Sequence, residues 1–60
     1  MPNYMIIKVY RDGSFKTDFL DDRKLLNDTL LFFRDIRLEY KVFHWSDRVN
    51  GYVLEAEWKG

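Results

Sequence analysis

Two short runs of strand-forming residues, separated by turn residues, lie near the start of the chain and indicate a pair of β-strands. The first run, residues 4–10 (YMIIKVY), is rich in β-branched and aromatic residues and ends at Arg11-Asp12-Gly13, a turn signal. A two-residue loop would mix apolar and charged side chains on one face. A three-residue loop with Gly13 left-handed sets Val9 opposite Phe15 and separates the two kinds of side chain. This register predicts the following apolar set against the core: Met5, Ile7, Val9, Phe15, Thr17 and Phe19.

From Asp21 the apolar period changes from two residues to between three and four, which predicts a helix over residues 21 to about 38. Asp21 is the expected N-cap, and Arg34 and Arg37 complement the negative end of the helix dipole. No glycine or proline marks the end of this helix. The apolar stripe expected to face the sheet consists of Leu25, Leu26, Thr29, Phe32, Phe33 and Ile36, with Leu26, Phe32, Phe33 and Ile36 forming the core.

The last third of the chain predicts two further strands, at about residues 39–45 and 52–58, joined by a loop that contains Asn50-Gly51. Glu55 and Glu57 must face water, so the alternate residues of the last strand face the core. The predicted inward set is Tyr40, Val42, His44, Tyr52, Leu54, Ala56 and Trp58. Lys41 then lies beside one of the two glutamates, and Phe43, Trp45 and Val53 point outward.

The predicted order β-β-α-β-β favours an α+β fold, a two-layer ββαββ sandwich. We expect a four-stranded antiparallel sheet in the order 2-1-3-4, with one helix on one face and residues 1–60 as a single domain. One helix can cover only one face of such a sheet. The aromatic residues at both strand parities of KVFHWSDRVNGYVLEAEW must therefore include a set that the helix does not cover.

The uncovered face is the surface on which we expect a partner to dock, because contiguous exposed apolar clusters are candidate contact surfaces. Its predicted apolar members are Tyr4, Ile6, Tyr10, Phe43, Trp45 and Val53, and its predicted charged members are Lys8, Lys16, Asp18, Lys41, Glu55 and Glu57. The expected partner-binding residues are Tyr10, Phe43, Trp45, Val53, Lys8 and Lys41. The alternative is that a curved sheet, or the loop from Ser46 to Gly51, folds over the aromatic side chains and makes a second small core.

The composition favours a binding function over an enzymatic one. A sixty-residue chain without cysteine has a small core and no disulfide to support it, so binding to another protein or to a second copy is the remaining aid. Ten basic and ten acidic residues cancel, and neither a polyphosphate nor a membrane would be attracted by overall charge. We expect a cytoplasmic protein-binding module without cofactor or metal. A phage accessory protein that inhibits a host factor is of this size, and a homodimer is equally compatible.

Two other functions are possible from the sequence. Aromatic side chains on an open sheet can stack single-stranded nucleic acid, with Lys8, Lys16 and Lys41 near phosphates, but acidic residues on the same predicted face oppose this. An enzyme would need a nucleophile beside a base, and the single nearby set is His44, Ser46 and Asp47. Without a predicted oxyanion hole, His44 is better explained as a residue at the rim of the core.

Overall fold

The computed structural model describes all sixty residues, and it confirms the predicted α+β architecture. The elements are β1 (Tyr4–Val9), β2 (Phe15–Leu20), α1 (Arg23–Asp35), β3 (Glu39–Ser46) and β4 (Gly51–Trp58). The strands form one four-stranded sheet in the order β2-β1-β3-β4, and all neighbouring pairs are antiparallel. The helix lies against one face of this sheet, as expected.

The β1–β2 hairpin has the predicted register, with Val9 opposite Phe15. Gly13 adopts a left-handed φ of 88°, which explains why the loop uses three residues. The side chain of Asp12 accepts hydrogen bonds from both the amide and the hydroxyl of Ser14, at 2.9 and 2.6 Å, and so fixes the turn. Hydrogen bonding to Ser14 lowers the pKa of the Asp12 carboxyl below its ordinary value of 3.8.

The helix packs against one face of the hairpin, and this face is the opposite of the one that the pattern predicted. Ile6 lies opposite Val42, and both side chains are fully buried between sheet and helix. Because side chains alternate along a strand, Met5, Ile7 and Val9 therefore face away from the helix. The prediction that the more apolar parity is the covered one is wrong: this sheet is apolar on both faces, and the helix packs on the face where Ile6 lies.

The helix is shorter than predicted at both ends. It begins after Asp22, whose carboxylate accepts a hydrogen bond from the amide of Lys24 at 3.0 Å, so Asp22 and not Asp21 is the N-cap. It ends at Asp35, and Arg37 takes a left-handed φ of 56° that turns the chain back toward β3. The amide of Leu38 then donates to the carbonyl of Phe33 at 2.8 Å.

Only five of the sixty residues are buried, and all five lie between the helix and the sheet. This core consists of Ile6, Leu26, Phe33, Tyr40 and Val42. Leu26 and Phe33 are thus core residues, as predicted, whereas Phe32 and Ile36 are 58% and 54% exposed, which corrects the prediction for these two. The hydroxyl of Tyr40 accepts a hydrogen bond from Arg34 Nε at 2.9 Å, which satisfies the one polar atom of a buried ring.

A β-bulge in β4 changes which residues of that strand face the helix. Lys41 pairs with Glu57 and Val42 with Ala56, but Phe43 pairs with Leu54, which leaves Glu55 as the extra residue. Residues before Glu55 consequently have the opposite parity from the predicted one. Tyr52 and Leu54 face away from the helix instead of toward it, because each shares a face with its partner on β3.

Candidate functional site

The sheet face that the helix leaves uncovered, called the open face below, is the most apolar surface of the molecule. None of its apolar side chains is buried. Leu54 is 50% exposed at the β4 side of this face and Phe15 is 66% exposed at the β2 side. The apolar members of the open face, taken from the strand registers, are Met5, Ile7, Val9, Phe15, Phe19, Phe43, Trp45, Tyr52 and Leu54.

One corner of the open face is partly closed by curvature of the sheet. The rings of Phe19 on β2 and Tyr52 on β4 are 6.1 Å apart at their centroids, although β1 and β3 lie between these strands. Tyr52 also meets Trp45 edge to face at 5.2 Å, and its hydroxyl donates to the carbonyl of Pro2 at 2.8 Å. A twisted sheet bends two diagonal corners toward one face, which brings these rings together.

The aromatic corner is formed by Phe19, Trp45 and Tyr52. It is intermediate between the two predicted alternatives, a fully exposed contact surface and a second small core. Trp45 donates its Nε1 proton to Asp47 at 2.9 Å, which favours one orientation of the indole ring. Nevertheless, Trp45 and Tyr52 remain half-buried and Phe19 remains 52% exposed. The corner is a preorganised aromatic cluster that still has free surface, and preorganised aromatic side chains are the usual anchors of protein interfaces.

Charged side chains are few on the open face. Lys41 and Glu57 lie opposite each other as a cross-strand pair, and Glu39 lies further along β3 on the same side. All other members of this face are apolar, apart from Thr17. An apolar surface with a small number of charges at one side is the composition of an interface centre and its rim.

Of the six residues predicted to bind a partner, three lie on the open face: Lys41, Phe43 and Trp45. Lys8 lies on the covered face, where its Nζ is 2.8 Å from Asp18 Oδ2 and 5.9 Å from the centroid of the Phe33 ring. The hydrogen bond to Asp18 raises the pKa of Lys8 above its ordinary value of 10.5. Lys8 therefore belongs to the support of the helix and not to the predicted contact surface.

Val53 and Tyr10 are also displaced from the predicted surface. Val53 pairs with His44 and shares its side of the sheet, because the β-bulge reverses the parity of this part of β4. Tyr10 lies beyond the end of β1, in a cleft that Ile36 and Leu38 of the helix end also line. Neither residue is contiguous with Phe43 and Trp45.

A second exposed apolar surface runs along the helix and was not predicted. Arg34 contacts Tyr40 and Trp58, so that flank of the helix faces β3 and β4. Residues displaced from Phe33 in the other direction, at about 100° per residue, form the flank toward β2. This helix flank consists of Leu25, Phe32 and Ile36, each about half exposed. The helical stripe in the sequence was simply wider than the sheet can cover.

Arg23, Glu55 and His44 form a cluster of titratable groups at the margin of the core. Arg23 binds Glu55 Oε2 at 2.8 Å and its guanidinium lies 5.5 Å from the centroid of the Tyr4 ring. His44 Nδ1 is 3.4 Å from Glu55 Oε1, is buried, and has no hydrogen-bond partner. Asp47 binds Trp45. The predicted set of His44, Ser46 and Asp47 is therefore not assembled as a nucleophile with its base.

No group of three or more metal-ligating side chains converges anywhere in the chain. The only helix, with thirteen residues, is too short to cross a membrane. Comparison of the chain with protein-family models, with curated proteins and with solved structures found no match. What the molecule does must therefore be inferred from its own surfaces, and the open face carries more apolar side chains than the helix flank does.

Proposed function

We propose that the chain is a non-enzymatic protein-binding module that docks through its open face. One observation carries this proposal: nine apolar side chains share a sheet face on which none is buried, in a domain with only five buried residues. Soluble monomers rarely expose a contiguous apolar surface of this kind unless a partner covers it.

The arrangement of the open face supports a protein as the partner. Phe43, Trp45 and Tyr52 are neighbours on this face, and tyrosine and tryptophan are enriched among the residues that dominate binding energy. Lys41 and Glu57 supply charges of both signs, which suits a protein surface that also carries both. The small size of the domain supports a narrower form of the proposal, a cytoplasmic inhibitor of the phage type that occupies the surface of a host factor.

Single-stranded nucleic acid fits the open face less well than protein does. Stacked bases need basic side chains along the same surface to neutralise the phosphates. Lys8 and Lys16 lie on the covered face, which leaves Lys41 as the single lysine on the open face, next to Glu57. The exposed aromatic rings therefore have no basic track beside them.

The test compares two leucines of similar exposure on different surfaces. Leu54 lies on the open face and Leu31 on the outer side of the helix, at 50% and 63% exposure. Tagged parent, Leu54→Lys and Leu31→Lys chains are used to capture proteins from the source cell. We expect Leu54→Lys to lose the captured partner by about tenfold or more, and Leu31→Lys to retain it. Equal capture by both variants, or no specific capture by the parent, contradicts the proposal.

A further inference from the structure

The two edges of the sheet are protected to very different extents. β4 contains the bulge at Glu55, which interrupts the regular spacing of its free backbone groups. β2 has six consecutive paired residues with no bulge, no proline and no glycine. A regular, exposed edge of this kind is a template for another strand.

The free backbone groups of β2 belong to Phe15, Thr17 and Phe19. Tyr10 donates its amide proton to the carbonyl of Ser14 at 2.8 Å, so the backbone of Ser14 faces β1. Backbone groups alternate in direction along an antiparallel strand, so those of Lys16 and Asp18 face β1 as well. The amides and carbonyls of the three residues between them point to the outside.

The side chains of β2 are complementary to themselves when the strand is reversed. Residues 15–19 read Phe-Lys-Thr-Asp-Phe, which is symmetric about Thr17 except for the exchange of a positive for a negative charge. Antiparallel pairing centred on Thr17 places Lys16 of one copy opposite Asp18 of the other, twice. It also places Phe15 opposite Phe19 twice and Thr17 opposite itself. Opposite charges, aromatic pairs and Thr-Thr pairs all stabilise cross-strand neighbours.

The backbone selects the same register. Thr17 opposite Thr17, and Phe15 opposite Phe19, are pairs in which all of the outward amides and carbonyls meet. A shift of two residues in either direction keeps outward groups in contact but sets Lys16 opposite Lys16 or Asp18 opposite Asp18. Like charges directly opposite are destabilising. The register centred on Thr17 is thus favoured by both hydrogen bonding and charge.

Asp18 can contact Lys16 of a second copy in addition to Lys8 of its own chain. Its Oδ2 binds Lys8 at 2.8 Å within the chain, and its side chain remains 47% exposed. Lys16 is exposed on the same face of the strand. The helix flank formed by Leu25, Phe32 and Ile36 also lies on the β2 side of the helix. Two copies joined at β2 bring these exposed apolar flanks to face each other above the new strand pair.

We infer that a second copy of this chain binds at the β2 edge, in antiparallel pairing centred on Thr17. The product is a two-fold symmetric dimer with one continuous eight-stranded sheet, twice the four strands of one chain. Its open face runs across both copies, and the two helices lie on the same side. The inference concerns an edge and not the open face, so it stands apart from the proposed function.

The principal test removes one outward amide at each edge in turn. Thr17→Pro removes a donor that makes no bond within the chain, and proline is tolerated on an edge strand when its missing amide faces solvent. Glu57→Pro is the matched control, because the Lys41–Glu57 pair alternates with the hydrogen-bonded pairs of β3 and β4 and leaves the Glu57 amide on the outer edge. Masses of parent, Thr17→Pro and Glu57→Pro are measured by sedimentation over a concentration series, with circular dichroism to confirm folding.

The parent and Glu57→Pro are expected to be dimers at about 100 μM chain, with Thr17→Pro monomeric or at least about tenfold weaker. A parent that stays monomeric at about 1 mM overturns the inference, as does a Thr17→Pro chain that dimerises like the parent. If Thr17→Pro is monomeric but still captures the partner through Leu54, both proposals stand. If Leu54→Lys alone abolishes dimerisation, the open face is the self-contact and the edge inference is wrong.

A charge exchange tests the register and remains informative if a proline variant fails to fold. Lys16→Asp sets aspartates opposite each other in its own dimer, and Asp18→Lys does the same with lysines. Mixed together, the two variants restore both opposite-charge pairs in a heterodimer. We expect the mixture to associate about tenfold more tightly than either variant alone. Equal affinity in all three samples contradicts pairing centred on Thr17.

Discussion

The two faces of the sheet have nearly the same apolar content, but buried residues occur on only one of them. Ile6 and Val42, on the covered face, are fully buried, whereas Met5, Ile7 and Phe43, one residue away along the same strands, are only half-buried. Chemistry does not separate these residues, because each group contains aliphatic or aromatic side chains of similar size. The difference is the helix. An apolar strand face becomes core only where another element covers it, so the open face is a core surface that still lacks a cover.

The covered face is also the more charged of the two. It carries the Lys8–Asp18 ion pair and, at its margin, the contacts of Arg23, Glu55 and His44. The aliphatic stem of Lys8 packs near Phe33 while its ammonium group reaches Asp18. Long charged side chains can therefore line the edge of a small core. The parity of β1 and β2 that carries no charged side chain is therefore not the one that the helix covers.

The largest expected effect is the loss of packing on the covered face. Phe33→Ala leaves a cavity under the helix and should lower the free energy of unfolding by about 3–5 kcal/mol, which is enough to unfold much of so small a domain. Leu54→Ala on the open face should cost no more than about 1 kcal/mol, because half of its surface is already in water. Urea unfolding monitored by circular dichroism measures both. Similar losses in the two variants would remove the distinction between the faces.

The same isosteric substitution at two positions of the covered face, one buried and one at its exposed margin, gives a finer comparison. Val42→Thr places a hydroxyl in the fully buried core without a partner and should cost about 1–3 kcal/mol. Val53→Thr, at a position that is 37% exposed beside His44, should cost less than about 0.5 kcal/mol. Thermal melts of the two proteins at equal concentration provide the measurement. A larger loss at Val53 than at Val42 would show that the core is not where it has been described.

A smaller effect of opposite sign is expected where the helix returns to the sheet. Arg37 has a left-handed φ of 56°, a conformation that costs a residue with a Cβ about 1 kcal/mol relative to glycine. Arg37→Gly should therefore raise the stability by about 0.5–1 kcal/mol, whereas Arg37→Ala, which keeps the Cβ, should give no gain. The change stabilises the end of the helix and leaves the open face intact, so partner capture should be unchanged. A stabilised variant with lost capture would link binding to the helix end instead.

The smallest expected effect concerns alkaline pH and the covered face. The pKa of Lys8 is raised above 10.5 by its hydrogen bond to Asp18, so the folded chain holds this proton more tightly than the unfolded chain. The resulting stability is fully present below pH 10.5 and is lost as the pH rises through the folded value. Asp18→Asn should lack this alkaline decline. The check is the difference between parent and variant melting temperatures from pH 9 upward, and identical alkaline slopes would contradict the assignment.

Much of the fold follows from local signals in the sequence. Gly13 and the length of its loop determine the register of the first hairpin, and the change of period near Asp21 locates the helix. Lys41 lies opposite Glu57, one of its two predicted partners. These features depend on residues that are close in the chain or on turn geometry, which single positions can specify.

The choice of face depends on where the helix packs, and no local signal records this. β1 and β2 present apolar side chains at one parity, but Ile6 and Leu20 supply enough apolar surface at the other for the helix to pack there. The bulge at Glu55 has no glycine or proline to mark it in the sequence. These two long-range features moved Lys8 and Val53 away from the predicted contact surface, while Phe43 and Trp45 remained on it.

The two tryptophans provide the most direct measurement of the central claim, because they lie on opposite faces. Trp45 belongs to the open face, and Trp58 packs beside the buried Tyr40 at 6.0 Å between ring centroids. Trp58→Phe and Trp45→Phe each leave one tryptophan, whose quenching by acrylamide is measured with and without the partner that the parent chain captures. If the open face is the docking surface, the partner shields Trp45 and leaves the quenching of Trp58 unchanged. Shielding of Trp58 with Trp45 unaffected would contradict the account.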